Sequence, residues 1–354
     1  MNDMSARRRR SAIRSVVTMR DIARIAGVSV QTVSCVVNNN GSISDALRAR
    51  VRKIADDLGY RPNLSAKAMR TGRTQTFGLV IADLRVPFFP ELAYWVQRAA
   101  LARGYSVLIV DTDGTPEQTA ERILSLKAMA VDGVITTEPI PVVLDLGLPT
   151  VLIAAPIRGI DTVTSDDAGG GAMLADHLVA LGHRRIGMVT SPRPGAIQIR
   201  RDGFLRRLEG RAEVVWEVTT PPSEIISNDI RRMFNTIDVT AVACSHDLIA
   251  IGLLRALWEM GIRVPDEVSV VGYDDVQWSA VVSPGLTTVR APFAKLANRA
   301  VEMLFERMEK PGRRARRDIV EVELVERETV ADLTVPLGRA RPARLRRTPD
   351  PAKA

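Results

Sequence analysis

The stretch Asp21-Ile-Ala-Arg-Ile-Ala-Gly-Val-Ser-Val-Gln-Thr-Val-Ser-Cys-Val-Val-Asn38 predicts two short helices joined by a tight turn. The first helix has an apolar stripe at helical spacing, formed by Ile22, Ala23 and Ala26. Thr18 is placed to cap this helix, because a threonine hydroxyl can accept a bond from a free backbone N–H. The sequence therefore predicts a compact helical unit close to the N-terminus.

The second helix of this stretch has one buried face and one polar face. Gly27 suits the left-handed conformation that ends the first helix, and Ser29 is placed to cap the second. The buried face consists of Val33, Val36 and Val37. The opposite face, poor in charge and rich in hydrogen-bonding groups, consists of Val30, Gln31, Thr32, Ser34, Cys35 and Asn38. Such a surface suits the DNA major groove, so the stretch indicates a helix-turn-helix DNA reader.

Charge is spread unevenly along the 354 residues. Residues 1–72 carry a net charge of +9, residues 336–354 carry +5, and residues 73–335 between them carry −6. A basic head attracts DNA phosphates, whereas an acidic body is repelled by them. For the tail, an alternative stays open in which its arginines reflect compositional bias. The apolar fraction of 46% is enough for a headpiece and a large two-lobed core.

The two cysteines, Cys35 and Cys244, are far apart and have no metal-ligand spacing, so the sequence predicts neither a disulfide framework nor a metal site. No apolar stretch is long enough to span a bilayer. The basic run Arg7–Arg10 is followed by no apolar signal-peptide core. These features predict a cytoplasmic protein without a membrane partner, and no cofactor motif is present.

The pattern of elements predicts several domains. A third helix follows Ser44, and the pattern changes at Thr76 to apolar strands that alternate with amphipathic helices. We expect a disordered basic extension over residues 1–16, a helix-turn-helix domain over 17–62, a hinge helix and linker over 63–75, a two-lobed effector-binding and dimerisation domain over 76–335, and a disordered Arg/Pro-rich tail over 336–354.

The core is predicted to contain two parallel sheets with helices on both faces. Its strands are expected at 77–82, 106–110, 133–136, 150–154, 185–189, 213–217, 241–244 and 268–271, and its helices at 90–103, 115–129, 167–181 and 248–260. Two such series imply two lobes with a cleft at the carboxyl ends of the strands. The triplet Gly169–Gly171, just inside a helix start, is predicted to permit close packing rather than phosphate binding.

Together these motifs resemble the LacI/GalR family of bacterial transcriptional regulators over residues 17–330. The motifs in the headpiece and hinge are Thr18–Ala23, Ala26–Ser29, Thr32–Ser34, Val37–Asn38 and Gly59–Asn63. The motifs in the core are Pro87–Phe89, Asp166, His177–Leu178, Gly182–Ile186, Asp202–Phe204, Asp247, Val264–Pro265 and Val268–Asp275. The resemblance implies a helix-turn-helix headpiece on a two-lobed core like that of periplasmic binding proteins.

The resemblance also implies a homodimer that represses transcription by binding a pseudo-palindromic operator in double-stranded DNA. By position, Val30, Gln31 and Cys35 are expected to read bases. Phosphates or the groove edge would be held by Thr18, Ser29, Thr32, Ser34 and Asn38. The hinge residues expected at the minor groove are Tyr60, Asn63, Ala66 and the apolar wedge Met69. A small molecule in the cleft would control DNA binding.

Two of these residues depart from the family pattern. Cys35 stands where most members have arginine, whose fork pairs with guanine, and a thiol cannot make that contact. An altered operator with compensating contacts explains this, and a redox-sensitive thiol is the alternative. Met69 stands where leucine is usual, and it is expected to intercalate with less preorganisation unless it faces the surface instead.

The implied effector is a carbohydrate or nucleobase-like metabolite. Its expected contacts are Phe88, Phe89, Arg200, His246, Asp247, Asp274 and Phe293. An alternative stays open in which Asp247 only caps a helix and His246 is solvated. Trp216 is expected in the core, so the sequence offers no aromatic side chain near Thr219–Ser223 to stack on a sugar.

Two other classes of protein share parts of this pattern. A solute-binding protein of a transport system has the same two-lobed core, but the helix-turn-helix and the missing signal peptide argue against it. An enzyme is disfavoured because the three histidines, His177, His183 and His246, form no evident nucleophile–base set. The tail beyond Val335 has no apolar heptad, which predicts a dimer rather than a tetramer.

Overall fold

A computed structural model of the chain describes residues 17–61, 68, 72–192, 195–236 and 239–335. The chain divides into two compact units, residues 1–74 and residues 75–354. The predicted extension 1–16, most of the hinge segment 63–75 and the tail 336–354 lie outside the described residues. Among the described residues, no helix is long and apolar enough to cross a membrane.

Over residues 17–61, the described part of the first unit consists of three helices, α1 (Met19–Ala26), α2 (Val30–Val37) and α3 (Asp45–Asp57). Gly27 ends α1 in the left-handed conformation, with φ of 63°, and Ser29 caps α2. The apolar faces of the three helices meet in one small core, whose fully buried members include Ile22, Val33 and Val51. The helix-turn-helix therefore forms from the local signals that predicted it.

The first lobe of the second unit is a parallel six-stranded sheet in the order β11-β5-β4-β3-β1-β2. Its strands are β1 (Thr76–Ile81), β2 (Ser106–Asp111), β3 (Gly133–Thr136), β4 (Thr150–Ile153), β5 (Asp161–Ser165) and β11 (Arg317–Val320). Its helices are α4 (Phe88–Leu101), α5 (Pro116–Ala128), the short α6 (Pro141–Leu144) and α11 (Phe293–Glu309). Apolar clusters cover both faces of the sheet.

The second lobe is a parallel four-stranded sheet in the order β7-β6-β8-β9. Its strands are β6 (Arg185–Thr190), β7 (Glu213–Thr219), β8 (Ala241–Cys244) and β9 (Ser269–Val271). Its helices are α7 (Asp167–Ala180), α8 (Ala196–Leu208), α9 (Asn228–Thr236) and α10 (Asp247–Glu259). A 3₁₀ helix (Gln277–Ala280) and an antiparallel pair, β10 (Thr288–Arg290) with β12 (Glu323–Val325), complete it.

The chain crosses between the lobes three times. It leaves the first lobe after β5, returns between β10 and α11, and leaves again between β11 and β12. Neither lobe is therefore a continuous piece of sequence. The crossings bring the carboxyl ends of both parallel sheets to the space between the lobes, where α/β proteins of this kind bind ligands.

The glycine triplet at the start of α7 does allow close packing. A Cβ at Gly170 would overlap the hydroxyl of Tyr273, and a Cβ at Gly171 would overlap the backbone carbonyl of Arg200 on α8. From the other side, a Cβ at Gly203 would overlap the carbonyl of Ala168. Helices α7 and α8 therefore cross with their backbones in contact, which any side chain at these positions would prevent.

Candidate functional site

The predicted DNA-reading surface of the first unit lies on α2. Val30 is 42% exposed, Gln31 is exposed, and Thr32, Ser34 and Cys35 are partly exposed. They surround the solvent side of α2, since Val33 and Val36 occupy the core. The structure thus brings the predicted base-reading residues together on one accessible face of one helix.

The small polar residues around α2 are oriented by bonds within the helix. Ser29 Oγ accepts a hydrogen bond from the Thr32 backbone N–H at 3.0 Å, and its oxygen lies 2.9 Å from Thr32 Oγ1. The side-chain amide of Asn38 donates to the Ser34 carbonyl at 2.7 Å and to Ser34 Oγ at 3.2 Å. These bonds fix the side chains while leaving further hydroxyl lone pairs available to DNA.

Thr18 holds the start of α1 through a capping contact. Its backbone N–H and its hydroxyl donate to one carboxylate oxygen of Asp21, at 3.0 and 2.7 Å. The pKa of Asp21 is lowered chiefly by the bond from the Thr18 hydroxyl. Thr18 stays exposed, so its side chain can still accept a contact from outside the unit.

Cys35 is a free thiol on this surface, and Gly41 lies beside it. A Cβ on Gly41 would lie 3.2 Å from Cys35 Sγ, so the glycine leaves the thiol its space. Of the predicted hinge residues, Tyr60 is partly buried against the headpiece core, while Asn63, Ala66 and Met69 lie outside the described residues.

The second unit contains a cavity of about 380 Å³ between its lobes. The side chains and backbone that line it all follow the carboxyl ends of strands. From the first lobe these are Val86, Phe88, Phe89, Thr137–Pro139 and Ile153–Ile157, and from the second lobe Gly195–Ile197, Arg200, Pro222, His246 and Asp274. The volume is typical of a site for a small organic molecule.

Arg200 is the most connected polar residue of the cavity. One of its terminal nitrogens donates to Asp167 Oδ1 at 3.0 Å, and the other donates to the Ser245 carbonyl. Its guanidinium also lies 3.2 Å from the centre of the Tyr273 ring. Because Arg200 is only 8% exposed, these partners hold its position tightly while one edge faces the cavity.

Asp274 stands next to Arg200, with Oδ1 at 3.7 Å from its guanidinium nitrogen. The backbone of Asp274 has φ of 116°, a conformation that side-chain-bearing residues seldom adopt and that is found at functional sites. Burial raises the pKa of this carboxyl well above its usual range, although Arg200 opposes the shift. A buried carboxyl beside an arginine can both donate and accept bonds to a polar ligand.

The structure separates His246 from Asp247. His246 is buried and lines the cavity, with Nδ1 at 3.0 Å from Ser245 Oγ, so it is not solvated. The fully buried Asp247 does not line the cavity, and its oxygens accept bonds from Val276 N, Ser279 Oγ and Thr288 Oγ1. Its contacts therefore tie the start of α10 to the segments after β9, and none of these donors is a backbone N–H of α10, so these bonds neither face the cavity nor cap the helix.

Two of the predicted aromatic residues form the cavity wall, and the third packs behind it. Phe88 and Phe89 line the cavity, with their ring centres 5.3 Å apart. Phe293 lies behind Phe88 at 5.2 Å and is 6% exposed, so it supports the wall without being part of it. Trp216 is buried in the core of the second lobe, as expected.

Sequence reasoning missed several residues of the cavity. Glu138 and Ile197 line it, and Asp167 and Tyr273 hold Arg200 from behind. Asp167 is separated from the glycine triplet only by Ala168, and Tyr273 directly precedes Asp274. Both signals were present in the sequence, but only the fold shows that these segments meet.

Comparison with known proteins matches both units. A model of bacterial regulatory proteins of the lacI family matches residues 18–63, and a model of a periplasmic binding protein-like domain matches residues 175–330. The repressor PurR of Mannheimia succiniciproducens is 31% identical over 332 residues, covering 89% of this chain and 99% of that protein. The chain belongs to the LacI family.

Two further similarities span most of this LacI-family chain. The ribose operon repressor of Haemophilus influenzae is 29% identical over 337 residues, covering 90% of this chain and all of that protein. A crystal structure of the Lac repressor dimer bound to operator and the anti-inducer ONPF superimposes with a TM-score of 0.78 at 27% identity, covering 89% of this chain and 99% of that one.

Proposed function

We propose that this LacI-family protein is a transcriptional repressor that binds a pseudo-palindromic DNA operator as a homodimer and is controlled by a small molecule, a sugar or related metabolite, between its lobes. The exposed face of α2 carries the proposal, because it presents hydrogen-bonding groups on a rigid helix sized for the major groove. The similar repressors named above support it.

Selection of genomic DNA fragments by the purified protein, followed by sequencing, tests the proposed DNA binding. We expect a single enriched word with two-fold symmetry. The variant Gln31→Ala should lose preference at one symmetric position, since Gln31 is exposed on the reading face. Gln97→Ala is the matched control, because Gln97 is exposed on α4 of the other unit. Enrichment of no symmetric word, with or without added metabolites, would contradict the proposal.

The proposed effector site is the cavity between the lobes. Arg200, His246 and Asp274 supply donors and acceptors from one lobe, and Phe88 and Phe89 supply an apolar wall from the other. A ligand that touches both walls binds one lobe arrangement better than another, which is what control of DNA binding requires.

Calorimetric titration with a panel of sugars, nucleosides and nucleobases tests this site. Ile197→Trp should abolish any binding found, because the larger side chain fills the cavity that Ile197 lines. Leu124→Trp is the control, since Leu124 is 53% exposed on α5. Binding that survives Ile197→Trp unchanged would place the effector elsewhere.

The proposed dimer uses exposed apolar side chains of the second lobe. Ile225 is 76% exposed, Trp258 is 69% exposed and Val281 is 78% exposed. Trp258 also borders a groove that Leu254 and Val282 line. Large apolar side chains so exposed on one lobe are typical of a surface that a second copy covers.

A further inference from the structure

The loop Lys310–Arg317, which joins α11 to β11 and includes the first residue of that strand, has the sequence Lys310-Pro-Gly-Arg-Arg-Ala-Arg-Arg317, with five cations and no acidic residue. It stands out because residues 73–335 as a whole are acidic, with a net charge of −6. The predicted repulsion between this body and DNA therefore does not apply uniformly. The proposed function makes no use of this loop.

A buried carboxylate fixes the loop to the sheet. Asp161, whose side chain has no exposed surface, accepts two bonds of 2.8 Å from the guanidinium of Arg313 and another of 2.8 Å from Arg307. It also accepts a bond of 2.8 Å from the backbone N–H of Arg316. Arg313 also lies 3.8 Å from Glu306, so Arg307, Arg313 and Arg316 face two carboxylates, which leaves a net positive charge and a rigid base for the loop.

The remaining cations of the loop point into solvent. Lys310, Arg314 and Arg317 are exposed and make no ion pair or side-chain hydrogen bond with the residues that the structure describes. Arg316 is 55% exposed and pairs with Glu306 at 2.9 Å. Three such cations on a fixed loop are suited to a polyanion rather than to one small anion.

The sheet topology places this loop on the side where the DNA-binding unit is attached. Strands β1, β3, β4, β5 and β11 are parallel and in register, so all of them start at one edge of the sheet. Gln75 enters β1 at that edge, and Arg316 enters β11 there, with its carbonyl accepting from Thr162 N. Four strand spacings separate the two entry points, or about 19 Å.

The length of the linker limits how far this edge can lie from the headpiece. Arg61 is the last residue of the described headpiece before the linker, and only 13 residues separate it from Gln75. A chain of that length spans at most about 50 Å, less than the length of about 20 base pairs. The headpiece and the sheet edge that carries Lys310–Arg317 can therefore be no farther apart than the extended linker allows, so a duplex longer than this can contact both.

We propose that the loop Lys310–Arg317 is a second, sequence-independent DNA contact, which binds phosphates of the duplex flanking the operator. The inference rests on the proposed DNA-binding function. Its ligand is the sugar–phosphate backbone, because the exposed groups of the loop are cations with no base-reading amides among them. The contact strengthens binding to long DNA and adds nothing to the choice of operator.

Binding of the full-length protein to duplexes of about 20 and about 60 base pairs that share the selected operator tests the proposal. The double variant Arg314→Gln/Arg317→Gln is compared with Arg206→Gln/Lys295→Gln, which removes equal charge from exposed positions on α8 and at the opposite end of α11. Affinities are measured over a range of salt concentrations. For the wild type, we expect a steeper salt dependence on the long duplex than on the short one.

In the loop variant, the slope of log Kd against log salt on the long duplex should fall by about one for each phosphate that the loop no longer neutralises. Affinity for the short duplex should stay within about twofold, and the control variant should match the wild type on both. Equal slopes for wild type and loop variant on the long duplex would overturn the inference. Failure of every protein to bind either duplex would instead refute the proposed function.

An anionic membrane is the competing polyanion. Cosedimentation with phosphatidylglycerol vesicles, abolished in Arg314→Gln/Arg317→Gln and accompanied by unchanged DNA slopes, would assign the loop to a lipid surface and overturn the DNA contact. No cosedimentation, together with the changed DNA slope, is the expected result.

Discussion

At the level of single residues, two side chains lead to direct tests. Cys35 is a free thiol on α2, at a position where the family resemblance leads us to expect arginine, and Gly41 packs beside its sulfur. Asp161 is a buried carboxylate that holds two arginines and a backbone N–H. Cys35 bears on the operator sequence of the proposed function, and Asp161 bears on the stability of one edge of the core.

Replacing Cys35 by arginine should change the selected operator at one symmetric position, towards guanine. The arginine fork can accept no bonds but donates two to guanine O6 and N7, which is worth about 1–3 kcal/mol of discrimination. Selection and sequencing with Cys35→Arg and Cys35→Ser measures this change. Serine is similar in size to cysteine, so Cys35→Ser should select nearly the same operator sequence as the wild type. An identical word for Cys35→Arg and the wild type would remove residue 35 from the base-reading set.

Replacing Asp161 by asparagine should destabilise the core by about 3 kcal/mol, because two partly buried guanidinium groups lose their counter-charge. Urea unfolding measures the loss. Asp176→Asn is the control, since Asp176 pairs with Arg207 and Arg211 on an exposed surface where such pairs contribute little. Equal effects of the two substitutions would mean that Arg307 and Arg313 find other partners.

Among the secondary-structure elements, apolar strands and helices with a capping side chain could be predicted from the sequence, whereas a strand of polar residues could not. The expected strands at 133–136 and 241–244 match β3 and β8 at both ends, because each is a short apolar run between breakers. Strand β5, Asp161-Thr-Val-Thr-Ser165, was missed because its only aliphatic residue is Val163. Thr162 and Thr164 are buried in the folded lobe, which local sequence does not reveal.

The same limit applies to the candidate site. Arg200, Asp274 and the two phenylalanines were found from local motifs, and the fold places them around one cavity. Asp247 has an equally prominent motif, yet its side chain turns towards Ser279 and Thr288. Which end of a strand-to-helix turn faces the cavity depends on packing between lobes, and that information is not contained in a short motif.

Replacing Gly171 by alanine should separate α7 from α8 and destabilise the core by about 2 kcal/mol or more. The new Cβ would overlap the carbonyl of Arg200, and a backbone atom cannot move aside as a flexible side chain can. Thermal and urea unfolding measure the loss. Gly312→Ala is the control, because nothing lies within 4 Å of a Cβ there. A stable Gly171→Ala protein would show that the two helices can move apart at little cost.

At the scale of the whole molecule, the core presents an apolar surface and a histidine that joins three segments. His183 is fully buried, with Nδ1 at 2.9 Å from Thr240 Oγ1 and Nε2 at 3.1 Å from the Ala331 carbonyl. It thus connects the turn after α7, the start of β8 and the last described residues of the chain. Trp258 and Val281 lie on the surface proposed to bind the second copy.

Trp258→Glu should convert the proposed dimer to a monomer, because a charge replaces an apolar side chain that the partner would bury. Multi-angle light scattering measures the mass. Met173→Glu is the control, since Met173 is 37% exposed on α7. A wild-type tetramer would contradict the predicted dimer, and a dimeric Trp258→Glu protein would move the interface to another surface.

The core should lose stability as the pH falls below about 6.5. Burial lowers the pKa of His183 from its ordinary value of 6.5, and burial lowers that of His177 likewise. Below pH 6.5 the unfolded chain therefore binds more protons than the folded chain. The contribution of these histidines to the free energy of unfolding is present above pH 6.5 and is lost as the pH falls towards the folded-state pKa. Urea unfolding from about pH 8 to about pH 5 measures it.

His183→Gln removes one of these two groups. Its loss of stability relative to the wild type should shrink as the pH falls, because only the wild type loses the free energy of unfolding that comes from keeping His183 neutral. A deficit that is the same at both ends of the pH range would contradict the assignment of the pH dependence to this histidine.

The three crossings between the lobes have a consequence for synthesis on the ribosome. The apolar core of the headpiece is complete once Tyr60 has emerged, but the first lobe lacks α11 and the edge strand β11 until residue 320 has been made. Five of its six strands are synthesised before most of the second lobe is translated. During that time the sheet face that Leu296, Ala300 and Leu304 of α11 later cover stays exposed. At about 5–20 residues per second this exposure lasts on the order of ten seconds. A nascent chain of this protein is thus an expected client for chaperones that bind apolar sheet faces during elongation.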